Sequence, residues 1–198
     1  MAHADDVPFL MCGGRLTLRD FVMEDVGAVL AYASDPLVTQ YLIWGPNTRA
    51  QTEQFLAQVI GQARNPRRRH VEWGIVERAT GQIIGGARLT VRSSEHRVGD
   101  IGYVLCRDRW GQGYGTETAR LLLHMGFQTL KFHRIEATCD PDNGASRRIL
   151  EHVGMQDEGR ARQHLRVRGT WCDSLRFAVL ETEERRPDGA PTPTTMPE

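Results

Sequence analysis

Three closely spaced glycines separate a strand-like segment from an amphipathic helix in the middle of the chain. Gly111, Gly113 and Gly115 follow the run GDIGYVL and precede apolar residues that recur at helical spacing from Ala119 to Leu130. Because glycine inside an ordered element costs about 0.5–1 kcal/mol relative to alanine, the cluster indicates either an unusual backbone path or the close approach of a ligand. This feature predicts a strand–turn–helix unit at the centre of the fold.

Strand-like and helical runs follow one another on both sides of this unit. Helical periodicity begins in EDVGAVLAYASD and again near Thr48, where Thr48 and Gln51 have the spacing of a capping box, and a last helix runs from Asn143 to Val153 before Gly154. The order is strand, two helices, three strands, helix, strand, helix and two strands, which predicts a mixed α+β fold. The predicted strands are RLTLRDF, VEWGIVE, IIGGARLTV, GDIGYVL, RIEATCD, GRARQHLRVR and WCDSLRFAVLE.

Length and charge limit the class of protein. A chain of 198 residues is long enough for one well-buried core. Its 25 Lys and Arg equal its 25 Asp and Glu, so the charge gives no argument for DNA or a membrane as a partner. We predict one domain over residues 15–183 and a disordered tail over residues 184–198, which are rich in Pro and Thr.

The cysteines and histidines show no metal-binding pattern. The four cysteines form no CxxC pair and the seven histidines no HxxxH or HExxH pair, which argues against a metal site and against a disulfide framework. The first ten residues contain two acids and no apolar run, so we expect no signal peptide. These features predict a protein of the reducing cytoplasm.

The glycine turn is suited to binding an anion. The first turn of the following helix has backbone N–H groups without intrahelical partners, and the helix dipole places positive charge at the same end. Glycines at these positions would let consecutive N–H groups converge on phosphate oxygens. The alternative is a tight turn that binds nothing.

Two common phosphate-binding motifs are excluded. A Walker A loop needs a lysine before its final Ser or Thr, and here Gly115 is followed directly by Thr116. The dinucleotide-binding fingerprint needs glycine where Thr116 stands, and it follows the first strand of a βαβ unit.

Four motifs of the chain resemble, in the same order, those of the GCN5-related N-acetyltransferases, and in particular the branch that acetylates the amino termini of ribosomal proteins. They are SDPLVTQYLIWGP, GYVLCRDRWGQGYGTETARLLLHMGF, DPDNGASRRILEHVGM and GTWCDSLRFAVLE, within a resemblance that covers about Arg15 to Glu181. The resemblance implies a mixed, mostly antiparallel sheet of about seven strands with helices on both faces. It also implies acetyl-CoA as co-substrate, in the cleft where the strand before the glycines diverges from the next strand.

Two positions depart from the family pattern. Trp110 stands where the phosphate loop usually begins with Arg or Gln, so the backbone amides of residues 111–116 would carry more of the pyrophosphate binding. Leu150 stands where many members have a tyrosine that protonates the leaving thiolate. The residues that the resemblance assigns to acetyl-CoA are Val104, Leu105, Trp110, Gly111, Gln112, Gly113, Tyr114, Gly115, Thr116, Asn143 and Ser146.

The resemblance also implies catalytic roles. A backbone N–H near Val104 and Leu105 would stabilise the oxyanion that forms when an amine attacks the thioester. Ser146, helped by Asn143, is the candidate for protonating the leaving thiolate, and the alternative is that Asn143 only caps its helix. Asp100 is the candidate base, and the alternative is an exposed acid at a strand end without a catalytic role.

The predicted activity is acetyl-CoA-dependent transfer of an acetyl group to a primary amine by direct attack on the thioester. The amino terminus of a ribosomal or other protein needs less help to become neutral than a lysine, since their pKa values are about 8 and about 10.4. A polyamine or an antibiotic amine is an alternative acceptor, and a sensor that binds acyl-CoA without catalysis is an alternative function.

Substrate contacts and partners follow from the same prediction. Glu72 and Asp173 are candidates for contacts to the acceptor. The basic run RNPRRRH at residues 64–70 either docks ribosomal RNA or an acidic peptide, or is a solvated loop. We expect a monomer or a homodimer, no metal, no membrane and no direct DNA binding.

Overall fold

The computed structural model describes residues 10–65 and 68–183 of the chain, and the predicted tail at residues 184–198 lies outside them. The described residues form one eight-stranded sheet. Its strands are β1 (Leu10–Cys12), β2 (Leu16–Asp20), β3 (His70–Glu77), β4 (Ile83–Ser93), β5 (Val98–Leu105), β6 (Arg134–Cys139), β7 (Gln156–Val167) and β8 (Thr170–Leu180). Across the sheet the order is β1-β2-β3-β4-β5-β6-β8-β7.

Five α-helices accompany the sheet in the part of the chain that the structure describes. They are α1 (Val26–Ala33), α2 (Pro36–Thr39), α3 (Arg49–Ala63), α4 (Tyr114–His124) and α5 (Gly144–His152). The capping box predicted at the start of α3 is confirmed, because the Thr48 hydroxyl accepts from the Gln51 backbone N–H and the Gln51 side chain accepts from the Thr48 backbone N–H. A turn of π-helix, Met125–Thr129, continues α4.

The helices cover both faces of the sheet, as predicted. On one face, α1 and α3 pack on a cluster that includes Phe21, Tyr32 and Leu56. On the other face, a larger cluster joins α4 and α5 to the sheet. Alternation along β5 assigns its side chains to these faces, because Val104 packs with the first cluster and Leu105 with the second.

The sheet is antiparallel except at one place. β5 and β6 run parallel, and their pairing covers only Val98–Asp100 opposite Arg134–Glu136. All other neighbouring strands are antiparallel. The carboxyl ends of β5 and β6 therefore separate after Asp100, and this cleft was the predicted place for the co-substrate.

Two features differ from the sequence prediction. The sheet has eight strands where about seven were expected, because a short edge strand, β1, pairs with β2 over three residues. Such a short strand has too few residues to show alternation. Within the basic run at residues 64–70, the described Arg68 is buried and pairs with Asp20 at 2.8 Å, so this residue is not part of a solvated loop.

Candidate active site

The glycine turn adopts the left-handed backbone that the sequence predicted. Gly111 and Gly113 have φ values of +71° and +81°, and Gly113 is the N-cap of α4 without a capping side chain. The acid of the first turn, Glu117, does not cap the helix either, since its carboxylate accepts from the backbone N–H of Arg15 at 2.7 Å and from Arg15 Nε at 2.9 Å. The first amides of α4 therefore have no capping side chain, which is the arrangement that suits an anion.

Gly115 has a different reason to be glycine. Its φ is not in the left-handed region, and a Cβ there would lie 2.7 Å from Ile149 Cδ1 and 3.5 Å from the Tyr103 ring. The residue lets α4 approach α5 and β5 closely. It contributes to the site by helix packing, which the spacing of the three glycines did not distinguish from phosphate binding.

Two side chains assigned to acetyl-CoA stabilise the turn itself. The Trp110 indole N–H donates to the Leu105 carbonyl at 3.1 Å, and the Gln112 side-chain amide donates to the Asp108 carbonyl at 2.8 Å. The Gln112 carbonyl in turn accepts from Arg15 at 3.0 Å. The turn is thereby tied to the end of β5 and to the start of β2.

The Tyr114 side chain points away from the turn. Its hydroxyl donates to the Glu77 carboxylate, and the Arg15 guanidinium lies 4.4 Å from the centre of its ring. The hydrogen bond to Glu77, followed by burial, raises the pKa of Tyr114. Tyr114 is thus placed to offer a backbone N–H to a ligand, as is Thr116, which is half-buried in the first turn of α4.

The end of β5 directs one predicted amide into the cleft. The Cys106 backbone N–H donates to the Ile84 carbonyl of β4 at 2.8 Å. Because N–H groups alternate sides along a strand, that of Val104 also points to β4, whereas that of Leu105 points away from β4 toward the cleft. Of the two predicted oxyanion donors, Leu105 has the suitable orientation.

The helix cap at α5 is the alternative foreseen for Asn143. Its side-chain oxygen accepts from the Ser146 backbone N–H at 3.0 Å. The cap fixes the first turn of α5, including the half-buried Ser146, beside the cleft. On the same helix, Leu150 is buried in the core, so this departure from the family pattern is explained by packing.

Sequence reasoning missed Tyr103. Its side chain lies on the same face of β5 as Leu105, and its hydroxyl oxygen is buried without a partner within hydrogen-bonding geometry in the described part of the chain. Burial raises the pKa of Tyr103 to about 12, and the nearby Ser146 side chain partly opposes this shift. The available signal was its position two residues before Leu105, which places both side chains on one face of the strand.

Asp100 lies away from this group. It is five residues before Leu105, about 17 Å along an extended strand, and alternation places it on the face covered by α1 and α3. Only 2% of the residue is exposed, so the alternative of an exposed acid is wrong. Its carboxylate accepts from the Arg88 guanidinium, and Arg92 lies 3.9 Å away.

The two predicted acceptor contacts also have partners. Glu72 lies 3.0 Å from the His70 ring. Asp173 accepts from the Gln163 backbone N–H at 2.8 Å and from Arg160 at 2.6 Å. These two interactions, in that order, lower the pKa of Asp173. Asp173 therefore has a structural role in the β7–β8 hairpin.

Residues 10–65 and 68–183 offer neither a metal centre nor a membrane-spanning helix. This part of the chain has no group of three or more His, Cys, Asp or Glu side chains that could hold a metal ion. It also has no helix that is long and apolar enough to cross a membrane.

Comparison with known proteins identifies relatives over most of the chain. The family profile described as Acetyltransferase (GNAT) domain matches residues 15–156. The uncharacterized N-acetyltransferase p20 of Bacillus licheniformis is 32% identical over 175 residues, which cover 85% of this chain and 94% of the relative. The [ribosomal protein uS5]-alanine N-acetyltransferase of Escherichia coli is 29% identical over 109 residues, which cover 54% of this chain and 56% of the relative.

A solved structure shares the fold. Mycobacterium smegmatis RimJ in complex with CoA-disulfide superposes with a TM-score of 0.74 and 26% identity, over 85% of this chain and 83% of RimJ. The superposition therefore extends over most of this chain.

Proposed function

The chain belongs to the GNAT acetyltransferase family, and we propose that it transfers the acetyl group of acetyl-CoA to a primary amine. The observation that carries this proposal is the glycine turn, whose open amides precede α4 beside the cleft between β5 and β6. The residues present fit a phosphate-bearing thioester. The amides of the first turn of α4 suit the pyrophosphate.

Each group at the cleft has a proposed task. The amides of residues 111–116 hold the pyrophosphate, with the side chains of Trp110 and Gln112 keeping the turn in place. The Leu105 N–H stabilises the oxyanion of the attacked carbonyl. Ser146 hydrogen-bonds the leaving sulfur, and Asn143 acts through it by fixing the first turn of α5. Acetyl-CoA, when bound, supplies the activated acetyl group.

For the acceptor we propose the amino terminus of a polypeptide, such as a ribosomal protein. Support comes from exposed apolar side chains between α2 and α3, namely Tyr41, Ile43 and Trp44, because apolar patches of this kind bind macromolecules. Arg168 of the β7–β8 turn donates to the Gly45 carbonyl at 2.9 Å and so joins this segment to the hairpin that carries the exposed Trp171. An α-amino group also needs less deprotonation than a lysine.

The position of the proposed general base, Asp100, favours a second candidate function. The Asp100 carboxylate accepts from Arg88, and strand alternation places it on the face covered by α1 and α3. A protein that binds acyl-CoA without turnover, acting as a sensor, fits this observation. The proposed base is Asp100 after release from Arg88, acting through bridging water, since it lies about 17 Å from Leu105 along the strand.

One experiment separates these candidates. Calorimetry measures acetyl-CoA binding, and release of free CoA thiol is then followed with peptides that have free amino termini, with peptides whose only amine is lysine, and with polyamines. We expect binding, and turnover that is fastest with the free amino termini. No binding at hundreds of micromolar acetyl-CoA would contradict the proposal, and binding without thiol release for every acceptor would favour the sensor.

We also propose a cytoplasmic location, in which the four cysteines stay reduced. Whether the protein is a monomer or a homodimer stays a prediction, which light scattering at several protein concentrations would decide.

A further inference from the structure

A small cavity lies on the face of the sheet opposite α4 and α5, at the point where β5 and β6 separate. Asp100, Thr138 and Arg176 are among its lining residues, and each alternates along its strand with a core residue of the other face. The last pair of β5 and β6 joins Asp100 to Glu136, so the cavity begins where the strands part. Because the phosphate turn belongs to the other face, this is the side from which an acceptor would approach.

The acids of the cavity already have cationic partners. The Asp100 carboxylate accepts from Arg88. Glu136 accepts from Arg134 at 2.9 Å and Glu158 accepts from the same guanidinium at 2.8 Å. Charge-assisted hydrogen bonds of this kind satisfy the carboxylates, so the acids of the cavity have little attraction left for a cation.

Two arginines of the cavity have no such partner. The Arg92 guanidinium lies 3.9 Å from Asp100, whose carboxylate is bonded to Arg88, and 59% of the Arg92 side chain is exposed. Arg176 is exposed on β8 and forms no ion pair within residues 10–65 and 68–183. Both side chains line the same cavity. The groups of the cavity that remain free to bind a ligand are therefore cationic.

The cavity suits a carboxylate in size and chemistry. Its volume is about 50 Å³, compared with about 30 Å³ for a molecule of liquid water, so it has room for one small polar group. Guanidinium groups bind carboxylates through planar, charge-assisted hydrogen bonds. A carboxylate between Arg92 and Arg176 would give both arginines the partner that they lack.

The distance from the cavity to the Leu105 amide fits an extended peptide. The parallel register of β5 and β6, continued past the last pair, places Thr138 beside Gly102. Leu105 is three residues further along β5, which is about 10 Å. An extended peptide advances about 3.3–3.6 Å per residue. A chain whose amino group lies at Leu105 and which runs along the gap would therefore bring its third or fourth residue to the cavity.

We propose that Arg92 and Arg176 select the acceptor by binding the carboxylate of an Asp or Glu at the third or fourth position of the polypeptide whose amino terminus is acetylated. This inference rests on the proposed function and names the class of acceptor. The same two arginines disfavour a polyamine, since its amines are cations at neutral pH.

The test is the rate of thiol release with a series of peptides that have free amino termini. Glu is placed in turn at positions 2 to 6 of a neutral sequence, and each peptide is compared with its Gln counterpart. In the wild type we expect kcat/KM to favour Glu over Gln about tenfold at position 3 or 4, because hydrogen bonds to a charged group are stronger than those to a neutral amide. The preference should decrease as the salt concentration rises.

Variants assign the preference to the two arginines. Arg92→Gln and Arg176→Gln should each reduce the ratio of kcat/KM for Glu to that for Gln, and the double variant should bring it to about one. Arg176→Glu should favour Lys at the same position. The control is Arg120→Gln, which makes the same change of charge at an exposed residue of α4, on the other face of the sheet, and should keep the wild-type ratio. Thermal melting shows that each variant is folded.

The result separates this inference from the acetyltransferase activity itself. Thiol release with no preference for Glu at any position, or a preference that the double variant retains, would overturn the role of the arginines and leave the acetyltransferase proposal intact. If the wild type releases no thiol with any acceptor, the proposed function fails, and the selection of an acidic acceptor fails with it.

Discussion

Removing the Tyr103 hydroxyl should stabilise the protein in the absence of ligand. Tyr103→Phe keeps the ring that packs against the core and deletes only a buried oxygen that has no partner of good hydrogen-bond geometry within residues 10–65 and 68–183. A buried polar group without a hydrogen bond costs about 1–3 kcal/mol. Since the neighbouring Ser146 hydroxyl already compensates part of this cost, we take the low end and expect a gain of about 1 kcal/mol in the free energy of unfolding. In a chain of this size that raises the melting temperature by about 2–4 °C.

The assay is thermal and urea unfolding followed by circular dichroism, with Tyr114→Phe as the matched control. Tyr114 is a second buried tyrosine, and its hydroxyl donates to Glu77. Deleting it leaves the carboxylate without that donor, so Tyr114→Phe should lower the melting temperature. If Tyr103→Phe loses as much stability as Tyr114→Phe, its hydroxyl is bonded in the free protein and the reasoning is refuted.

Three further predictions concern the turn, the leaving group and alkaline pH. Gly111→Ala should weaken acetyl-CoA binding at least tenfold, as measured by calorimetry. The control is Gly81→Ala, because Gly81 has nearly the same φ and equally open surroundings; this variant should bind normally despite a similar strain of about 1 kcal/mol. Equal binding by both variants would show that the turn is not part of the site. Ser146→Ala should lower kcat about 10- to 100-fold with little change in acetyl-CoA affinity, and an unchanged kcat with a lower melting temperature would make Ser146 structural. Burial raises the pKa of Cys106 and Cys139 from 9.0 to about 11, so the folded state holds these thiol protons more tightly than the unfolded state. The resulting stability should be fully present below pH 9 and lost as the pH rises through about 11. Urea unfolding midpoints that do not fall over this range would contradict the prediction.

Local signals in the sequence predicted most of the helices and strands. The capping box of Thr48 and Gln51 sets the start of α3 with groups three residues apart, and Gly154 follows the last residues of α5. The left-handed turn at Gly111 and Gly113 was likewise predictable, because only glycine adopts that backbone freely. These features depend only on residues that are close together in the sequence, so the spacing of residue types is enough to predict them.

The composition of the site depends on contacts between distant segments. Asp100 was expected to be a base or an exposed acid, yet it is buried beside Arg88 because β4 and β5 pair in a particular register. Gly115 was grouped with the phosphate turn although its smallness serves packing against Ile149 of α5. Tyr103 was overlooked because its sequence position does not show that its hydroxyl is buried without a well-aligned hydrogen-bond partner in the described residues.

The side chains proposed for the reaction lie on both faces of the sheet. Ser146, beside Tyr103, belongs to the face with α4 and α5, where the phosphate turn also lies, whereas Asp100 belongs to the face with α1 and α3. The Leu105 N–H lies between them, in the plane of the sheet, and points into the cleft. An amine arriving from the Asp100 side would therefore add to the face of the acetyl carbonyl that is turned away from α5, and the resulting oxyanion would accept from the Leu105 N–H. The separation of β5 from β6 would thus serve both parts of the proposed reaction, since it leaves the Leu105 amide without a strand partner and leaves a gap in the sheet through which the proposed acceptor would enter.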